Sequence, residues 1–413
     1  MKTVLSLFSG CGGMDLGMEG GFPILKRSYN AILNADWNAK EINKNWVYLP
    51  KTPFKVVFAN DILREAENSW APFFGSNGHC RFKRESIVTL VKNAIAGSFI
   101  FPKADIITGG FPCQDFSVAG KRFGLNSHKA HHGGYLSSHD NPNEENRGKL
   151  YMWMRSVVDI VRPKVFIAEN VKGLVSLSNV KDIIQKDFST VGDRGYTVVE
   201  ARVLRAQDYG VPQTRERVIF YGFNNSFLKK DAMEILGGVL INLKYDPYPI
   251  ATHGLIGDGN LLNYVSAKEA FIGLREPEAE KVDLSQMSYS KAKWYGRHCQ
   301  GNKEIRLDAP GPTIRAEHHG NIEFRRLSKS KGGMNQVGRE GSFAERRLTV
   351  RECARLQTFP DSFVFVRKKD QPYPLSPSDG YRVLGNAVPP LLAYHIAKRL
   401  QRIWPLFFKN DSV

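Results

Sequence analysis

The chain contains no apolar run of about 18 residues, the length a helix needs to cross a bilayer, so no membrane span is expected. The apolar start, Met1-Lys2-Thr3-Val4-Leu5-Ser6-Leu7-Phe8, is too short for a secretory leader and runs straight into glycines. Cysteine is scarce: five scattered residues, an odd number, suit reduced thiols better than a disulfide framework. No CxxC pair occurs, which argues against a structural zinc site. Acids are in deficit, 41 against 58 lysines and arginines, and the resulting charge of +17 would draw the chain to a polyanion. Charge alone does not separate a nucleic-acid enzyme from a merely basic one. One glycine is missing as well. In Ser9-Gly10-Cys11-Gly12-Gly13-Met14-Asp15 the dinucleotide fingerprint would require glycine where Asp15 stands, which disfavours a pyrophosphate cofactor.

What is present begins with three apolar segments read as strands. Val4-Leu5-Ser6-Leu7-Phe8 opens into the glycine loop, where the backbone can turn sharply and approach a ligand beside a helix N-terminus. Ala31-Ile32-Leu33-Asn34-Ala35 reads as a second strand ending in Asp36-Trp37: a carboxylate for ribose hydroxyls and an indole to stack on a purine. Lys55-Val56-Val57-Phe58-Ala59-Asn60 reads as a third, ending in Asp61-Ile62, whose carboxylate could accept from an exocyclic amine. Each acid singly is as readily a turn residue. Together the three strand ends form a nucleoside-shaped pocket that needs no phosphate, which suits S-adenosylmethionine.

A fourth strand, Ala104-Asp105-Ile106-Ile107-Thr108-Gly109-Gly110, delivers Phe111-Pro112-Cys113-Gln114 to the edge where open α/β sheets bind ligands. A helix follows, with Leu150, Met154, Val157, Val158 and Val161 at helical spacing. The next strand, Lys164-Val165-Phe166-Ile167-Ala168, ends in Glu169-Asn170-Val171, so Glu169 is expected at the same edge as Cys113. Strands at 196–204 and 217–222 flank Gln213-Thr214-Arg215-Glu216-Arg217. A thiolate here can add to an electron-poor ring carbon while a glutamic acid bonds a ring nitrogen and a guanidinium holds a carbonyl oxygen. That chemistry requires Glu169 to be partly protonated, which burial favours.

These segments resemble the carbon-5 cytosine-specific DNA methyltransferase family. The similarity is carried by Leu7-Phe8-Ser9-Gly10-Cys11-Gly12-Gly13, Gly110-Phe111-Pro112-Cys113-Gln114, Glu169-Asn170-Val171 and Gln213-Thr214-Arg215-Glu216-Arg217. It continues through Arg347-Leu348-Thr349-Val350-Arg351-Glu352-Cys353-Ala354-Arg355-Leu356-Gln357 and Gly385-Asn386-Ala387-Val388-Pro389-Pro390. All six stand in the family's order and span nearly the whole chain. The resemblance implies an α/β fold: a Rossmann-like S-adenosylmethionine-dependent methyltransferase domain with a mixed, mostly parallel sheet, plus a smaller irregular target-recognition domain. It implies that Cys113 attacks carbon 6 of a cytosine, Glu169 binds ring nitrogen 3 and the exocyclic amine, Arg215 contacts the exocyclic oxygen and Arg217 supports that loop. Phe8, Gly10, Gly12, Asp36, Trp37, Asp61, Ile62, Pro112, Leu150 and Asn386 would line the cofactor pocket. Because a paired cytosine hides its ring, the base must be flipped out of the duplex.

Two stretches exceed a compact pattern: 68–103, with a helix over 86–96 that places Ile87, Leu90, Val91 and Ile95 on one face, and 121–146. The latter carries His128, His131, His132 and His139 without helical or strand spacing, so a solvated loop is read there and no metal site. From 224 to 345 glycines and prolines interrupt short apolar runs, which reads as the recognition domain, with a short helix over 264–274 and a strand near Ile314. Its basic stretch, 325–347, reads as a phosphate-contacting loop, and Arg297, His298, Arg315, His318 and His319 are further base-edge candidates. Pro389 and Pro390 begin a helix with Leu392, Ile396, Leu400 and Ile403 on one face, expected to pack back on the first domain. The catalytic domain is therefore read as 1–223 plus 380–413, and 346–379 as a connecting segment. The partners implied are double-stranded DNA and a separately acting restriction endonuclease, for a monomer in a prokaryotic cytoplasm at the nucleoid. A tRNA cytosine-5 methyltransferase is the nearest alternative, and a non-catalytic DNA-binding regulator a more distant one.

Overall fold

A computed structural model describes residues 1–75, 80–111, 150–176, 180–238, 240–255, 259–316, 322–334 and 343–409. Lys2–Leu7 forms β1, and Gly12, left-handed at φ 85°, leads into α1 (Gly13–Glu19). The chain then departs from the reading above. Residues 31–35 make turns, because Asn30 Oδ1 accepts from the amides of Ile32 and Leu33, both at 3.1 Å, and bends the backbone away from an extended course. The strands nearby are instead β2 (Gly20–Leu25), β3 (Lys40–Asn43) and β4 (Trp46–Lys51), an antiparallel sheet of its own in the order β2-β4-β3.

The chain returns to the main sheet with β5 (Phe54–Asp61), followed by α2 (Arg64–Phe74), β6 (Arg81–Arg84), α3 (Ile87–Ile95) and β7 (Ile106–Gly109). Then come α4 (Leu150–Val161), β8 (Val165–Val171), α5 (Val180–Ser189), β9 (Tyr196–Arg205) and β10 (Glu216–Asn224). The remaining helices are α6 (Lys230–Leu236), α7 (Ala267–Ala270), α8 (Leu284–Met287), α9 (Val350–Leu356), α10 (Pro377–Asn386) and α11 (Pro390–Phe407). Among the described residues the main sheet has seven strands in the order β6-β5-β1-β7-β8-β10-β9. Only β10 runs against its neighbours. The order reverses at β1, so the cleft beyond its C-terminal end is the place an open sheet offers a ligand.

The strands are apolar on both faces, as a sheet covered on both sides requires. Val4, Ile106, Val165 and Ile167 face one core with Leu16 of α1 and Leu392 and Ile396 of α11. Leu5, Ile107, Phe166 and Ala168 face a second core with Leu90 of α3 and Met154 and Val157 of α4. The expected face of α11 is buried throughout: Leu392, Ile396, Leu400 and Ile403 are all inaccessible. In α3, Ile87, Leu90 and Val91 are buried, whereas Ile95 lies three-quarters exposed at the helix end.

The domain limits also move. Leu228, Ala232, Leu236 and Tyr248 join the core of α1 and α11, and the Tyr248 hydroxyl donates to the carbonyls of Glu200 and Ile219, so position 224 lies inside the large unit. Residues 346–379 are more than a connection, since α9 is buried along its whole length. Near Ile314 the expected strand is reduced to a single bridge between Gln213 and Gly311. Of the basic stretch 325–347, the described Arg326, Arg346 and Arg347 are buried, while Lys329 stays exposed. Arg326 and Arg346 both pair with Glu276, Arg346 also pairs with Glu352 at 2.7 Å, and Lys331 pairs with Glu345 at 2.7 Å. These cations are already neutralised, so the phosphate-contact reading does not hold for them.

Candidate active site

Four strand ends build the site. At β1, Phe8 adopts φ 52°, a left-handed conformation costly for a residue with a side chain, and Gly10 follows at φ 54°. A Cβ on Gly10 would meet nothing within 4 Å, so its outer side is open. Gly12 lies flat on α2: a Cβ there would come within 2.7 Å of the Trp70 ring. At β5, the partly buried Asp61 carboxylate accepts from Gly10 N at 2.9 Å and Leu63 N at 3.0 Å, tying the glycine loop to the adjacent strand. Burial raises its pKa, with those amides opposing. Ile62 beside it is 38% exposed, an apolar wall at the strand end.

Asp61-Ile62 therefore stand at the end of the second strand of the sheet, the position first read for Asp36-Trp37. The structure does not bring the latter pair to this edge. Asp36 is an exposed partner of Arg402 at 2.8 Å. Trp37 is buried against Tyr29, Tyr394 and His395. Tyr394 also abuts Gly20, where α1 ends, a helix length away from the glycine loop. The third strand end belongs to β6, and the residue delivered there is Glu85, which the sequence reading missed. Asn60 Nδ2 donates to the carbonyls of Lys83 and Glu85, both at 2.8 Å, and fixes that turn.

At β7 the described chain ends at Phe111; Pro112 and Cys113 lie outside the described residues, as do His318, His319 and the histidines of 121–146. Glu169 on β8 presses directly on this segment: a Cβ on Gly110 would lie 2.7 Å from Glu169 Oε2. The neighbouring Asn170 Nδ2 donates to Phe111 O at 3.2 Å. Glu169 is buried and pairs with Arg217 Nε at 2.6 Å. Burial raises its pKa and outweighs the pull of Arg217 and Arg215.

The two arginines differ from expectation. Arg215 is wholly buried and donates from Nη1 to Ile314 O at 3.0 Å and from Nη2 to Gly385 O at 2.7 Å. It braces two chain segments. Arg217, expected as the supporting residue, is the guanidinium beside Glu169. Leu150, first in α4, is buried in the core that contains Leu7 and Phe111. Asn386 is exposed at the end of α10, two residues before Val388, whose carbonyl sits against Gly13. Among the described residues no group of three or more His, Cys, Asp or Glu side chains could hold a metal ion, and no helix is long and apolar enough to cross a membrane.

At the strand-order reversal the glycine loop and Asp61-Ile62 stand on one side of β1, and the buried Glu169–Arg217 pair on the other. Comparison with known proteins agrees with this arrangement. A family model described as C-5 cytosine-specific DNA methylase matches residues 2–402. The Type II methyltransferase M.BsuRI of Bacillus subtilis is 31% identical, covering 99% of this chain and 81% of that protein. M.BspRI of Lysinibacillus sphaericus, also a Type II methyltransferase, is 30% identical over 99% of this chain and 84% of its own. The fold is shared with the crystal structure of S. pombe Dnmt2 methyltransferase, at 18% identity and TM-score 0.52, covering 98% of this chain and 99% of that one. The Entamoeba histolytica methyltransferase EhMeth shares it too, at 11% identity and TM-score 0.55 over 98% and 99%. With the family model matched over almost its full length, the chain belongs to the C-5 cytosine-specific DNA methylases and is a DNA (cytosine-5) methyltransferase.

Proposed function

We propose that the chain methylates carbon 5 of a cytosine within a specific double-stranded DNA sequence, through a transient bond from Cys113 Sγ to carbon 6 of a flipped base. The observation that carries this reading is the buried Glu169, set against Gly110 with Arg217 on its carboxylate. Cys113 follows Phe111 by two positions in the sequence, and two steps of chain span at most about 7 Å. A protonated Glu169 donates to ring nitrogen 3, which makes carbon 6 accept the thiolate; Arg217 holds the acid in place and faces the base's oxygen. Arg215 keeps the segments around Ile314 and Gly385 closed on the site.

The methyl donor that fits is S-adenosylmethionine, which supplies an electrophilic methyl on a sulfonium. Gly10 would offer it open backbone, Asp61 and Ile62 would take its ribose and adenine, and Phe8, Glu85 and Asn386 would complete the set that holds it. Pro112 and Leu150 remain assigned to the same pocket, while Asp36 and Trp37 are withdrawn from it. The Type II relatives make a restriction–modification role, with a separately acting endonuclease, the setting we assign, for a monomer in the cytoplasm.

Bisulfite sequencing of DNA from cells expressing the protein should reveal methylated cytosines in one sequence context. Incubation with duplex DNA carrying 5-fluorocytosine should trap an adduct on the peptide containing Cys113, and Cys113→Ser should abolish both. Trapping on another peptide, or label transferred to tRNA and not to DNA, would sink the proposal.

A further inference from the structure

Within 325–347, Arg326, Lys331 and Arg346 are paired with Glu276, Glu345 and Glu352, and Arg347 is buried on backbone carbonyls. That leaves the question of which cations can meet a DNA backbone. Residues 289–303 answer it. Lys291, Lys293, Arg297 and Lys303 fall in this segment with no acid among them. All four are exposed, and none has a carboxylate partner among the described residues. Tyr295 stands two-thirds exposed between them, and Lys291 Nζ lies over the Tyr289 ring at 3.4 Å.

The inner side of the same segment is rigidly held. Arg347 is buried and donates to the carbonyls of Ala292 at 3.0 Å, Lys293 at 3.0 Å and Gly301 at 2.6 Å, and to Asn302 Oδ1 at 2.9 Å. Trp294 Nε1 closes the loop on Asn302 O at 3.2 Å. Arg347 also holds Ile322 O. Glu323, the next residue, meets Arg315 at 3.5 Å, and Ile314 before it is the carbonyl that Arg215 grips at the catalytic edge. One continuous set of polar contacts thus links the exposed cations to the cleft.

We infer that residues 289–303 form the phosphate-gripping surface by which the chain holds duplex DNA at its cleft, with Lys291, Lys293 and Arg297 as the contacting cations. A preset loop presents these charges without the cost of ordering it on binding. The inference rests on the DNA reading above and names its binding element. The stretch 325–347 acts instead as the scaffold behind that surface.

The test is the salt dependence of binding to duplex DNA, measured by fluorescence anisotropy for the wild type and for K291A/K293A/R297A. Each phosphate contact contributes about 0.9 to the slope of log affinity against log salt, so the triple variant should lose about 2 to 3 in slope and more than tenfold in affinity. Its thermal stability and S-adenosylmethionine binding should match the wild type, which separates lost contacts from lost folding. Lys40→Ala, on the outlying β3, should keep the wild-type slope. An unchanged slope in the triple variant, while the wild type still methylates duplex DNA, overturns this inference alone. A wild type that neither binds nor methylates duplex DNA overturns the functional reading itself. A slope that falls on tRNA and stays fixed on duplex DNA overturns the choice of partner.

Discussion

Glu169 and Asp15 are both buried carboxylates with raised pKa values, and their surroundings give them different work. Glu169 has an arginine at 2.6 Å and lies against Gly110 at the end of β7, and in the proposed mechanism a proton on it is shared with the bound ring. Replacing it by glutamine keeps the shape and removes the acid. We expect Glu169→Gln to slow single-turnover methyl transfer by about 10²- to 10⁴-fold, the range for a positioned proton donor, with S-adenosylmethionine affinity unchanged. Asp15 has no described cation within ion-pair distance. It accepts from Trp70 Nε1 at 2.7 Å and burial pushes it up to about 6. A carboxyl raised from 3.8 in the unfolded chain to about 6 in the fold costs nothing below pH 4 and progressively destabilises the fold as pH climbs through 6. Two pKa units correspond to about 3 kcal/mol. Asp15→Asn keeps an acceptor for Trp70 and loses the charge. Its chemical denaturation midpoint should therefore exceed the wild type's at pH 8, and the gap should close by pH 4.

At the level of elements, the contact between α1 and α11 is set by missing side chains. A Cβ on Gly17 would lie 2.5 Å from the Pro390 carbonyl and 2.7 Å from the Tyr394 amide, both backbone atoms that cannot yield separately from α11. Gly17→Ala should cost several kcal/mol in urea unfolding, as overpacked core contacts do, and a near-neutral value would mean the helices are not so closely seated. Much of this layer was legible beforehand. The i, i+4 spacing of Leu392, Ile396 and Leu400 announced α11, and the β-branched runs at Val56 and Val165 announced β5 and β8. Glu169 could be assigned to the sheet edge because it follows an apolar run. The second strand was misread because Ala31-Ile32-Leu33 is apolar enough, while the Asn30 side chain that bends it acts through hydrogen bonds that periodicity does not register. Asp36 took Asp61's role by that single slip, and Glu85 went unseen because β6 is short, polar and half-exposed, with no hydrophobic signal. The contact of Arg217 with Glu169 was equally hidden. Arg215 precedes β10 and its guanidinium is spent on the carbonyls of Ile314 and Gly385, whereas the pairing of β10 with β8 brings Arg217 to Glu169.

At the scale of the molecule, the segment read as a recognition domain is fastened to the main sheet by charge as well as by apolar packing. Val265, Ile305, Ile314 and Ile322 share one continuous core with Val4 and Leu392, so the two parts have no separate interiors. Above that core Arg346, almost inaccessible, bridges Glu276 of the recognition region and Glu352 of α9, while Arg326 holds the other side of Glu276 with two bonds of 2.8 Å. Glu352 is fixed in turn by its capping box with Thr349. Removing one member leaves buried charge without its partner, which costs far more than the intact pair contributes. Arg326 and Arg346 hold the Glu276 pKa down at about 2 against 4.5 for a free glutamate, although burial opposes them. A depressed carboxylate stabilises the fold at pH above its unfolded value and loses that contribution as pH falls toward its folded one. Glu276→Gln should therefore be less stable than the wild type at pH 7, by about 1 to 2 kcal/mol after allowance for the solvent that reaches the carboxylate. The difference should shrink between pH 4.5 and 2. Because the core is shared, Trp294 in the recognition region and Trp404 in α11, each followed as the last tryptophan of a single-tryptophan variant, should report the same unfolding transition. Two separated transitions would mean that the ion pairs tether an independently stable module. In that case Glu276→Gln would shift only the transition seen by Trp294.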